Sequence, residues 1–269
     1  MSSNAGRRVG TDPRISRRRL AVERSRRRRA WTGLAAACAV GATAWAAFFS
    51  PLFAVRNVTV AGARHVTSGE IAEVAALGRS DNLLRLATPE VAKAAETLPW
   101  VRRATVHRIL PGTIKVRIVE RRPALVLSLG AARWIIDARG HVLAPAAKTN
   151  EKLPVLEAVQ VANVRPGTHL HTPEVKAALR VFREMPRGLR HRVVALFAPS
   201  VERVTLSLDD GVAIRYGAPE QMAAKNAVLK ALLARLWGEG RRPSYVDVRV
   251  PSSPAVSTAP ASPGATPSP

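Results

Sequence analysis

From Ala30 to Val55 the chain runs for 26 positions, AWTGLAAACAVGATAWAAFFSPLFAV, without one charged residue. A hydrocarbon core about 30 Å thick needs about 20 residues of apolar helix, so the run predicts a single transmembrane helix over residues 30–53. Alanine keeps its hydropathy moderate, and the prediction rests on length and freedom from charge. The run is too long for the apolar part of a cleaved signal peptide, although Ala44-Trp45-Ala46 imitates a cleavage site. The echoes of a lipoprotein box around Cys38 and of a twin-arginine signal at Ser16–Leu20 have unsuitable spacing.

The 29 residues before the run hold eleven arginines against Asp12 and Glu23, a net +9. Positive charge beside a span stays in the cytoplasm, which makes Arg26, Arg27, Arg28 and Arg29 the orienting residues. Residues 1–29 are then a disordered basic tail able to touch anionic lipid, and everything from Arg56 onward lies outside. That division changes the meaning of the overall +23. A nucleic-acid binder needs its basic surface in the cytoplasm, whereas here +14 of the charge belongs to the outer part.

The outer part reads as a folded α+β protein. Val55–Ala61 alternates as a strand that Gly62 ends. Thr67-Ser68-Gly69-Glu70 is a capping box, Thr88-Pro89-Glu90 opens a second helix, and strands follow near Val101–Arg108 and Thr113–Glu120. In the last of these Ile114, Val116 and Ile118 share one face and Lys115 and Arg117 the other, the pattern of a half-buried antiparallel strand. Trp100 and Val106 join the three aliphatics as predicted core. The order is β-α-α-β-β.

A β-rich region with two helices comes next. Short strands are expected at Ala124–Leu129, Arg133–Asp137 and His141–Leu143, with Leu153–Leu156 following. A helix starts at Thr172 with Val175, Ala178, Leu179, Phe182 and Met185 in one stripe. Val201–Leu208 and Val212–Tyr216 form a hairpin across Asp209-Asp210-Gly211, and Pro219–Trp237 is a helix with Met222, Leu229, Leu233 and Leu236 on one side. Ser244–Val250 is the last predicted strand. Residues 251–269, rich in Pro, Ser and Ala and free of charge, are expected to be disordered.

Reactive chemistry is not visible in the sequence. There is no nucleophile elbow, P-loop, dinucleotide fingerprint or metal motif. His169 and His171 lack a third ligand, and Asp209 and Asp210 suit a turn. The single Cys38 has no partner for a disulfide. The reading is a non-enzyme without cofactor, metal or small-molecule substrate.

Taken in order, VRNVTVAG (55–62), NLLRL (82–86), LPWVRRATVHRILPGTIKVRIVERRPAL (98–125), WIIDARGHVL (134–143), LPVLE (153–157) and YVDVRV (245–250) follow a basic tail and one span. In this combination the chain resembles the FtsQ/DivIB family of bacterial cell-division proteins, over roughly residues 25–257. The resemblance implies a POTRA domain over 54–123 and a β domain over 124–250. It implies a non-enzymatic divisome scaffold at the septum that binds the single-pass proteins FtsB (DivIC) and FtsL. An alternative from the architecture alone is a membrane-anchored POTRA-type protein-binding module of an export or envelope-assembly system.

In families resembling this one, FtsB adds a strand to the edge formed by the last β-strand. The corresponding residues here are Tyr245, Val246, Asp247, Val248, Arg249 and Val250, followed by Ser252, Ala255 and Val256. Pro251 and Pro254 depart from the family pattern, and because proline donates no hydrogen bond they predict a shorter edge, with pairing that stops near Val250.

Overall fold

A computed structural model describes residues 31–43, 45–46, 50–78, 81–147, 152–157 and 161–257. Residues 31–43 and 45–46 are helical with exposed side chains. Among the described residues no helix is long and apolar enough to cross a membrane. The expected span over 30–53 falls partly outside the described residues, as do Arg26, Arg27, Arg28 and Arg29 and the rest of the basic tail. The fold divides into two units, one made of Met1–Val58, Leu77–Ala87 and Arg108–Ile114, the other of Thr59–Ala76, Thr88–His107 and Lys115–Pro269.

In the first unit a 3-10 turn, Pro51–Phe53, is capped by the Ser50 hydroxyl, which accepts from the Leu52 N–H. The backbone then runs beside NLLRL: the Val55 N–H donates to the Asp81 carbonyl at 2.8 Å and the Leu83 N–H to the Phe53 carbonyl at 2.7 Å. The Gly112 carbonyl accepts from the Arg56 and Asn57 N–H groups. A Cβ at Gly112 would stand 2.7 Å from the Ala54 carbonyl oxygen, so only glycine lets these two backbones approach so closely.

Strands β1 (Asn57–Ala61), β2 (Val101–Ile109) and β3 (Thr113–Glu120) form a sheet in the order β1-β3-β2, with helices α1 (Ser68–Val74) and α2 (Thr88–Glu96) in the connection between β1 and β2. The predicted capping box is present at α1, where Thr67 and Glu70 exchange side-chain-to-backbone bonds of 3.3 and 2.7 Å. Ile114, Val116 and Ile118 are buried while Arg117 is exposed, as the alternation predicts. Trp100 and Val106 are only half-buried. Val106 belongs to an edge strand and β3 to the centre of the sheet, so a β2 side chain has a neighbouring strand on one side only.

In the second unit a nine-stranded sheet runs β12-β11-β10-β9-β8-β7-β4-β5-β6. Its strands are β4 (Pro123–Leu129), β5 (Ala132–Asp137), β6 (Val142–Pro145), β7 (Val155–Glu157), β8 (Val193–Phe197), β9 (Thr205–Leu208), β10 (Ala213–Arg215), β11 (Tyr245–Asp247) and β12 (Ala255–Ser257). The pairs β4/β7, β7/β8 and β10/β11 are parallel and the other pairs antiparallel. Helices α3 (Pro173–Glu184), the single turn α4 (Arg187–Arg190) and α5 (Met222–Gly238) complete the α+β fold. The predicted stripes are both in the core: Val175, Ala178, Leu179, Phe182 and Met185, and Met222, Leu229 and Leu233.

The second unit also differs from the sequence expectation: the strands predicted at Val201–Leu208 and Ser244–Val250 are shorter, Thr205–Leu208 and Tyr245–Asp247. Strand β8 was not anticipated. Helix α5 begins at Met222 and not at Pro219, because Gln221 takes the left-handed conformation with φ 47° and breaks helical continuity. The chain past Val250 is not structureless at once: it turns, with the Ser253 N–H donating to the Val250 carbonyl, and enters β12.

Candidate docking edge

The end of the large sheet is built from three short strands. β10 carries β11 in parallel register, with Ile214 opposite Val246, and β11 carries β12 in antiparallel register, with Val246 opposite Val256. Backbone bonds extend the ladder at both ends. The Ala213 N–H donates to the Ser244 carbonyl, the Val248 N–H to the Arg215 carbonyl, and the Ser244 N–H to the Ser257 carbonyl at 2.7 Å. The Ser244 hydroxyl donates to that same Ser257 oxygen at 3.1 Å.

Side chains alternate across this end. Val246 and Val248 are wholly buried in the core, while Tyr245 and Asp247 are half-exposed on the other face. The Arg215 guanidinium stacks 4.5 Å above the Tyr245 ring, a cation–π contact. Arg249 folds back on Asp247, with Nε at 3.1 and 3.0 Å from the two carboxylate oxygens, Nη2 at 2.7 Å, and its own N–H at 3.0 Å. Burial pulls the Asp247 carboxyl upward, but the bonds and charge of Arg249 outweigh it and hold the group below the usual carboxylate range. Gly217, at φ 73°, lets the Arg249 stem pass, since a Cβ there would meet it at 2.9 Å.

Beneath the edge, α5 clamps the end of β10. Lys225 is buried, and its ammonium donates to the Tyr216 carbonyl at 3.1 Å and the Ala218 carbonyl at 2.8 Å. The Tyr216 hydroxyl donates to Asn226 Oδ1 at 3.1 Å, and the Asn226 amide reaches the Glu184 carbonyl at 2.9 Å. Burial lowers the Lys225 ammonium and pushes the Tyr216 hydroxyl up to about 12. Neither residue stood out in the sequence as more than part of a helix or a hairpin.

Of the docking residues named from the sequence, Tyr245, Val246 and Asp247 lie in β11, and Ala255 and Val256 in β12. Val248, Arg249, Val250 and Ser252 form the connection, with Arg249, Val250 and Ser252 exposed and Val248 buried. β12 and β6 stand at the two ends of the sheet order, and among the described residues no strand pairs with the outer side of β12. Pro251 and Pro254 fall in the turn, where a missing donor costs no ladder bond.

The other candidate residues lie in two clusters. Asp209 and Asp210 both bind Arg192, each at 2.8 Å. The His169 ring lies 4.4 Å from that of His141 and 4.6 Å from that of His171, centroid to centroid, and among the described residues no group of three or more His, Cys, Asp or Glu could hold a metal ion.

A β-α-α-β-β segment followed by a large mixed sheet has the element order of a POTRA-bearing protein. The FtsQ-type POTRA domain family matches residues 53–121, and the C-terminal domain family of the cell division proteins FtsQ/DivIB matches residues 128–249. The chain belongs to the FtsQ/DivIB family. Among its relatives, a cell division protein FtsQ of Corynebacterium glutamicum is 28% identical over 78% of this chain and 91% of that protein. One from Mycolicibacterium smegmatis is 32% identical over 76% of this chain, which spans 59% of that relative's length. The extracytoplasmic domain of DivIB from Geobacillus stearothermophilus covers 45% of the chain at 17% identity, with a TM-score of 0.30.

Proposed function

We propose that this chain is a non-enzymatic scaffold of the division machinery that supports septum formation. It is held in the cell membrane by one span over residues 30–53, with the basic tail inside and a POTRA domain (54–123) and β domain (124–250) outside. Its partners are FtsB/DivIC-like and FtsL-like single-pass proteins, and a strand of the FtsB-like partner adds to the outer side of β12. The observation that carries this reading is the sheet order, in which β12 is terminal. Strand addition draws affinity from backbone hydrogen bonds and register from alternate side chains, and the outer side of β12 would supply both around Val256, the Ser257 carbonyl being taken by Ser244.

The test is co-purification of full-length protein from detergent with the FtsB-like and FtsL-like chains. A chain ending at Ala259 retains the FtsB-like partner, and one ending at Pro254, which lacks β12, loses it. Retention at undiminished yield by the folded shorter chain would overturn the docking edge.

A further inference from the structure

We infer that the cleft between β2, the end of β3 and the β5–β6 turn is a binding site for a phosphate-bearing group. The cleft encloses about 400 Å³ and is lined by Arg102, Glu120, Arg121, Arg122, Asp137 and Arg139, together with small apolar side chains. All of these residues lie in the second unit, and the inference is independent of the docking edge.

The decisive feature is how the charges are used. The Glu120 carboxylate is taken by the Arg64 N–H at 2.6 Å, the His65 N–H at 2.8 Å and the His65 ring at 3.0 Å. Asp137 accepts the Arg139 N–H at 2.8 Å and the His141 N–H at 2.9 Å, and pairs with Arg121 at 3.3 Å. Among the described residues no carboxylate is paired with the guanidinium of Arg102, Arg122 or Arg139. The lining therefore keeps three exposed guanidinium groups whose positive charge its own carboxylates do not take up.

The donor type and size narrow the ligand. A guanidinium presents a planar fork of N–H groups that matches phosphate oxygens two at a time. The forks come from β2, from the β3–β4 junction and from the β5–β6 turn, so they surround the cleft. Its volume suits a phosphate or pyrophosphate group with a small substituent. The source of that group is either free phosphate or a phospholipid headgroup.

The experiment is a calorimetric titration of full-length protein in non-ionic detergent with sodium pyrophosphate at constant ionic strength. Wild type binds one equivalent, and the R102Q/R122Q/R139Q variant binds at least tenfold more weakly. A control variant, R133Q/R187Q/R203Q, removes the same charge from exposed positions elsewhere and binds as wild type. Circular dichroism and thermal melts verify that all three proteins are folded. Absence of binding by wild type, or an equal loss in both variants, would overturn the site. Dihexanoyl-phosphatidylglycerol then separates the sources: displacement of pyrophosphate assigns a lipid phosphate, and no displacement assigns a soluble one.

Discussion

Val246 is sandwiched between two strands, opposite Ile214 on β10 and opposite Val256 on β12, and its side chain is wholly buried. The strand carrying the YVDVRV motif is therefore an inner one, and the terminal position belongs to the short segment after the turn.

This difference predicts unequal costs for like substitutions. Val246→Ala removes two methyl groups from a filled core and should cost about 1–3 kcal/mol. Val256→Ala acts at a half-buried edge and should cost under about 1 kcal/mol. Urea denaturation of the two variants measures both.

The clamp under the edge should be sensitive to Lys225. Lys225→Met keeps the apolar stem but takes donors from the Tyr216 and Ala218 carbonyls. A loss of about 1–3 kcal/mol is expected, with no change at the neighbouring exposed Lys230→Met.

Tyr216 should give the protein an alkaline limit. Its hydroxyl is raised to about 12 by burial, above the unfolded value near 10. A raised folded value means the contribution is complete below about pH 10 and is lost as pH rises toward about 12. Tyr216→Phe should flatten that slope in melts taken between pH 9 and 11.5.

Glu120 sets an acid limit. Burial raises its carboxyl, but bonds from the His65 N–H, the His65 ring and the Arg64 N–H prevail and hold it below the usual range. Stability from this group is complete above the unfolded value of about 4.3 and drains as pH falls through the lower folded value. Glu120→Gln should weaken the fold by about 1–3 kcal/mol at pH 7, and the difference from wild type should shrink toward pH 3.

Gly62 combines φ 85° with a close approach: a Cβ there would lie 2.5 Å from the Ile118 carbonyl oxygen. Gly62→Ala should therefore cost more than about 2 kcal/mol, whereas Gly188→Ala, with open space around it, should cost less than about 1 kcal/mol. Thermal melts of the two variants distinguish them.

Much of the fold was legible because the signals are local. The alternation of Ile114, Val116 and Ile118 marks a strand face from residues two apart, the Thr67–Glu70 box spans one turn, and the α3 stripe repeats at helical spacing. None of these needs a distant partner to be recognised.

The rest was decided by pairing across long stretches of chain. VVALF at 193–197 neither alternates nor carries a turn signal, and it is a strand because β7 and β9 flank it. Ala255–Ser257 reads as part of a Pro/Ser/Ala tail, and only the ladder to β11 makes it the sheet's edge. Lys225 looks like a solvent residue until the fold brings two carbonyls to its ammonium. The arginines at 102, 122 and 139, scattered along the sequence, enclose one cleft only once β2, the end of β3 and the β5–β6 turn are brought together. Local periodicity determined the elements, their buried faces and the charge beside the predicted span. The order of strands, the identity of the edge and the company each charge keeps are properties of contacts between residues far apart, which only the tertiary structure decides.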